Sequence, residues 1–186
     1  MRYLLLCFII VFLACKKEAP IPVSYKHFSK AEIDNLIKIV DYFESIICPD
    51  LNGRLTCTKN YLKEIPTNTD FGKADLNAKL EPVRIFTSIE KPLDNKIWFP
   101  YRSQTADGDT VINRNLSARG PYMNFLHELA AFNPKQFLNY SNTLHESGNL
   151  SNAMKKEVMD KMDNFDLENF DHRLFLTIHF LTISQQ

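Results

Sequence analysis

Glycine is scarce in this chain, 5 residues in 186, and neither sign of charge is in excess, 22 Lys and Arg standing against 22 Asp and Glu. The glycines, at 53, 72, 108, 120 and 148, flank no serine in a Gly-x-Ser-x-Gly pattern and gather in no loop. A nucleophile elbow needs that pattern for its sharp turn, and a phosphate-cradling loop needs clustered glycines so that amides approach the ligand, so neither chemistry has a candidate here. Without a basic excess there is no electrostatic footprint for tracking a phosphate backbone, and no nucleic-acid partner is expected. No internal repeat is visible. The 45% hydrophobic and 12% aromatic content is that of a globular chain, not a disordered or collagenous one, and the length suits one domain with a real core.

Long hydrophobic runs are also missing. The stretch Leu4 to Ala14 is apolar but falls well short of the about 20 residues that a membrane-spanning helix needs, while matching the core of a secretion signal. Arg2 precedes it and Cys15-Lys16-Lys17 follows. Phe12-Leu13-Ala14-Cys15 resembles the lipobox of bacterial lipoproteins, with Phe12 where that family usually has Leu. The resemblance covers roughly the first eighteen residues. It implies that residues 1–14 are removed, that Cys15 carries lipid, and that the protein is exported and membrane-anchored in the cell envelope, facing the periplasm or sitting on the outer membrane. Residues 15–28, with Pro20 and Pro22, are expected to form an extended tether that holds the domain off the membrane. Residues 29–186 are expected to form a single globular domain.

Removal of the signal takes Arg2 and Cys7 with it, leaving 172 residues close to neutrality. With Cys15 lipidated, Cys48 and Cys57 are the remaining thiols. Two cysteines in an exported domain suggest a disulfide. The Pro49-Asp50 and Asn52-Gly53 turn chemistry between them lets the chain reverse. Their spacing is not that of a redox-active dithiol, and without neighbouring histidines they make a poor zinc site.

Ser29-Lys30-Ala31-Glu32 is a capping box, and Ile33, Leu36, Ile37, Val40, Phe43, Ile46 and Ile47 follow at helical spacing until Pro49. A short helical turn is expected near Tyr61 to Glu64, then loop to Pro82. Val83 to Thr87, Lys96 to Phe99 and Thr110 to Asn113 read as short strands, with Asp107-Gly108 as a hairpin turn and Pro100 marking an edge or interrupted strand. Gly120-Pro121 and Asn133-Pro134 open two helices, Gly148 ends the second, and Ser151 caps a third carrying Met154, Val158, Met159 and Met162. The run 174–183 alternates like a strand at Leu174, Leu176, Ile178 and Phe180, yet Leu174, Ile178 and Leu181 suit a helix buried almost all round; its helical neighbours favour the helix. The fold class is therefore α-rich α+β: an N-terminal amphipathic helix, a small central antiparallel sheet or hairpin, and a C-terminal helical group.

Candidate chemistry is thin. His127-Glu128 begins a zinc-protease motif, but the second histidine belongs one turn later and position 131 is Ala. His145-Glu146 repeats the dipeptide on the next helix, so a metal between His127 and His145 is the weaker reading and a surface or capping role the stronger. Glu157, Asp160 and Asp163 recur every three residues among Lys155, Lys156 and Lys161, which describes a solvated, salt-bridged face and lacks the pattern of a calcium loop. Trp98, Phe99, Tyr101 and Arg102 sit beside the hairpin turn and are of types enriched at binding hot spots, although aromatics are more often core. These four are the expected binding residues. No catalytic residue and no cofactor is assigned. The preferred function is a non-catalytic, lipid-anchored envelope module that binds a protein or an envelope polymer, an immunity or inhibitor protein being one specific form. The competing class is a small hydrolase, metal-dependent or not, that uses His127, Glu128, His145 and Glu146.

Overall fold

The computed structural model describes residues 21–50, 52–65, 78–80, 86, 89–104 and 107–185. The signal and lipobox segment lies outside them, as does the strand expected at 83–87 apart from Phe86, which is helical and not extended, and residues 78–80, expected in the loop before Pro82, are helical as well. The architecture is α-rich α+β. In chain order it runs α1 (Ser24–His27), α2 (Lys30–Ile47), α3 (Arg54–Glu64), α4 (Lys91–Ile97), β1 (Trp98–Gln104), β2 (Thr110–Leu116), α5 (Pro121–Phe132), α6 (Pro134–Ser147), α7 (Asn152–Asp160), a 3₁₀ turn at Met162–Asn164, and α8 (Phe170–Ile183). No helix among the described residues is long and apolar enough to cross a membrane.

The helix starts follow from local chemistry. Ser29 Oγ accepts the Glu32 amide, and the Glu32 carboxylate accepts the Ser29 amide at 2.9 Å, closing the expected capping box of α2. Its stripe of Ile33, Leu36, Val40, Phe43 and Ile47 is buried. Pro121 and Pro134 stand in the first turns of α5 and α6, where their missing N–H costs nothing. Gly148 closes α6 at φ 69°, a left-handed conformation that a side chain would disfavour. Ser151 Oγ accepts the Met154 amide and starts α7.

Helix α8 is the core. Every residue from Leu174 to Ile183 is buried, so no polar face exists to mark its period, and the run that also alternates like a strand forms a helix because packing surrounds it. Phe175 meets Phe137 and Tyr140 of α6 edge-on, at centroid distances of 5.0 and 4.9 Å. Thr182 accepts the indole N–H of Trp98 at 2.8 Å.

Cys48 and Cys57 are joined by a disulfide. Gly53, at φ 77°, turns the chain between them into α3. Three further expectations are corrected. The turn near Tyr61–Glu64 is the end of a longer helix, α3, whose buried stripe is only Thr58 and Leu62 and therefore too weak to register as a period. The strand expected from Lys96 begins at Trp98, because Pro92 starts a helix that runs to Ile97. Residues 23–28, expected to belong to the tether, are part of the fold. Asp171 at the start of α8 accepts the amides of Val23 at 2.6 Å and Ser24 at 3.1 Å, and Phe28 is buried, so the fold already includes Val23.

Candidate functional site

The two strands pair antiparallel with Trp98 opposite Leu116 and Gln104 opposite Thr110, and Gly108 stands in the connecting turn at φ 88°. Side chains alternate between faces along each strand, and directly paired residues share a face. One face therefore carries Trp98, Pro100, Arg102 and Gln104 with Thr110, Ile112, Arg114 and Leu116. The other carries Phe99, Tyr101 and Ser103 with Val111, Asn113 and Asn115.

The Trp98 face is anchored at its base. Trp98 and Leu116 are buried, Trp98 stands edge-on to Phe86 at 5.1 Å, and the Arg114 guanidinium lies 4.2 Å from the centre of the Phe86 ring while pairing with Asp94 at 3.2 Å. Further out this face opens to solvent at Arg102 and at Ile112, which is 54% exposed.

The Phe99 face carries no charged side chain over its whole length, in a chain of which 24% is charged. Phe99 is 41% and Val111 40% exposed. The Asn113 amide donates to Ser103 Oγ at 2.7 Å and Asn115 donates to Asn149 at 2.9 Å, so the polar members of the face are held in place. Depletion of charge together with exposed aromatics is the composition of the centre of a protein interface.

Of the four residues expected to bind, the structure brings Phe99 and Tyr101 together on this face. Trp98 is 1% exposed and holds the hairpin to α8, while Arg102 projects from the opposite face. Val111 and Asn113 join the site without having been singled out; strand parity counted outward from Asp107-Gly108 is the signal that groups them.

The histidine pairs divide differently. Side chains on a helix lean toward its N-terminus, which carries the His127 ring of α5 away from the Asn133 corner and toward Ser141 and His145 of α6. His127 Nδ1 is 3.0 Å from Ser141 Oγ, and the His127 and His145 rings stand 5.4 Å apart, centre to centre, at 69°. Both residues are exposed. Glu128 does not join them: Lys26 donates to its carboxylate, which also contacts His27 Nε2 at 2.8 Å, and the Lys26 bond above all holds its pKa below the usual carboxylate value. Glu146 is exposed at the end of α6. The hydrolase reading thus keeps its two imidazoles and loses Glu128, and Ser141, the hydroxyl nearest to them, is fully buried.

The acidic residues of α7 and the turn after it are spent on cations. Asp160 accepts from Lys156 and Glu157 from Lys161, each at 2.6 Å, and Asp163 accepts from Lys63 at 2.6 Å. Among the described residues no group of three or more His, Cys, Asp or Glu is placed to hold a metal. A groove of about 560 Å³ lies where the chain enters the fold, between Ile21, Val23, Leu129, Phe132 and Phe170.

Buried titratable groups lie deeper. His179 is fully buried, its Nδ1 3.0 Å from Tyr140 Oη, and burial, with the nearby Lys155 charge adding to it, drives its pKa down to about 3. Burial likewise raises the Tyr122 and Tyr140 phenols and lowers His172, whose Nδ1 accepts the Asp166 amide. These groups are buried, neutral packing elements.

No family model matches this chain, and neither a curated protein nor a solved structure matches it.

Proposed function

We propose that this chain is a lipid-anchored protein of the bacterial cell envelope that binds a protein partner through the Phe99 face of its hairpin and performs no catalysis. The anchor reading rests on the signal-like N-terminus and on Cys15 at its end. The binding reading is carried by one observation: a strand face that bears Phe99, Tyr101 and Val111, part of it open to solvent, and not one charged side chain. An extended or flat apolar segment of a partner fits such a surface, gaining roughly 25 cal/mol for each Å² of apolar area removed from water. An immunity or inhibitor protein is the form of this reading in which the partner is an incoming toxin.

The test is affinity capture of the processed protein from crosslinked native membranes, followed by mass spectrometry. A near-stoichiometric protein that is retained by the parent chain and lost with Phe99→Asp and with Val111→Asp supports the proposal. Retention of nothing above a control lipoprotein, retention of an envelope polymer in place of a protein, or capture indifferent to both substitutions overturns it. The anchor is tested apart from the hairpin. A lipidated N-terminal Cys15 peptide is expected from the parent chain, and Cys15→Ser is expected to leave the membrane fraction.

A further inference from the structure

We propose that His127 and His145 form a two-imidazole zinc site on the exposed surface shared by α5 and α6, separate from the hairpin. The second imidazole that a zinc motif requires is absent from position 131 of the same helix, where Ala stands, and arrives instead from the neighbouring helix.

The spacing carries the argument. With zinc–nitrogen bonds of 2.0–2.1 Å, the ion lies about 3.2 Å from each ring centre, and a tetrahedral angle then sets the centres about 5.2 Å apart, whereas a square-planar angle sets them about 4.5 Å apart. The observed separation is 5.4 Å. That value lies close to the tetrahedral spacing.

The surroundings fit as well. Ser141 engages His127 at Nδ1, which orients the ring and makes Nε2 the nitrogen available to a ligand, the arrangement in which a partner on one ring nitrogen prepares the other for a metal. His145 lies one turn beyond Ser141 on the same side of α6, so both groups that set the geometry sit on one rigid helix packed against α5. Both imidazoles are exposed, which leaves two coordination positions for water. The remaining histidines are committed elsewhere: His27 to Glu128, His172 to the Asp166 amide, and His179 to Tyr140.

The test titrates the processed, detergent-solubilised chain with zinc chloride at pH 7.5 by calorimetry, while the histidine ring resonances are followed by NMR. One ion per chain is expected, with ring shifts at His127 and His145 and none at His172 or His179. His127→Ala and His145→Ala each weaken binding at least about tenfold, since either leaves a single ligand, and Ser141→Ala weakens it by about tenfold through loss of ring orientation. His27→Ala leaves it unchanged. Circular dichroism confirms that the two exposed histidine variants are folded. No saturable binding below 1 mM zinc, or saturable binding that survives both histidine substitutions, overturns the proposal. Neither result bears on capture of a partner by the hairpin.

Discussion

Helix α8 and the β1–β2 hairpin both carry aromatic and apolar side chains, and they use them in opposite ways. In α8 every residue from Leu174 to Ile183 is enclosed, and even His179 and Thr182 are spent on internal hydrogen bonds. In the hairpin only the first pair, Trp98 and Leu116, is buried, while Phe99, Val111 and Ile112 stand 40% exposed or more. Apolar residues that face the interior specify the fold, and apolar residues held outward on a rigid support are free to specify a contact. The Trp98–Thr182 hydrogen bond is where the two regions meet.

The contrast is sharpest under truncation. Phe175→Ala is expected to cost about 3–5 kcal/mol, since its ring packs against Phe137, Tyr140 and Phe165. Phe99→Ala is expected to cost less than about 0.5 kcal/mol. Urea unfolding of the two variants measures both, and similar losses would break the comparison.

Acid comes next. The native pKa of His179 lies at about 3, below the about 6.5 of an unfolded histidine, so the unfolded chain binds the extra proton. The stability from keeping this ring neutral is full above pH 6.5 and is lost as pH falls from 6.5 toward 3, by about 3 kcal/mol at pH 4.5. His172, lowered by burial, acts in the same direction. Melting temperature followed from pH 7.5 to 4.5 should fall steeply, and His179→Asn should flatten that slope while leaving the outward face of the hairpin unaffected.

Reduction of the Cys48–Cys57 bond, whose ends are 9 residues apart, should cost roughly 2.5–3 kcal/mol by loss of the constraint on the unfolded chain. Calorimetry with and without reductant reads it, and an unchanged melting temperature would count against the bridge as a staple of α2 to α3. A smaller effect than that of reduction is expected at the junction itself. Trp98→Phe removes the indole donor but leaves Thr182 donating to the Ile178 carbonyl, for a loss of about 1 kcal/mol, and it should also reduce protection of β1 amides from hydrogen exchange.

Capping chemistry made much of this architecture legible. Ser29, Gly120-Pro121, Asn133-Pro134, Gly148 and Ser151 each mark a helix boundary through the backbone groups they satisfy or omit, and those signals are local. Helix α3 was hidden because its buried stripe is two residues long. The start of β1 was misplaced because Ile97 and Trp98, adjacent and both buried, belong to different elements. The candidate site was half legible: residue types pointed to the hairpin, but which of them share a face depends on register, and register depends on the turn. The approach of His127 to His145 is a property of two packed helices and has no signature along the chain.

In the proposed form tethered at Cys15, the clamp between Asp171 and the amides of Val23 and Ser24 has a mechanical meaning. Any pull exerted through the anchor enters the domain at that carboxylate and passes directly into α8. In that form the load path runs from the anchor into the buried helix α8 and on through Thr182 and Trp98 to the base of the hairpin, so a partner gripping the hairpin would be held against the anchor through the core of the fold.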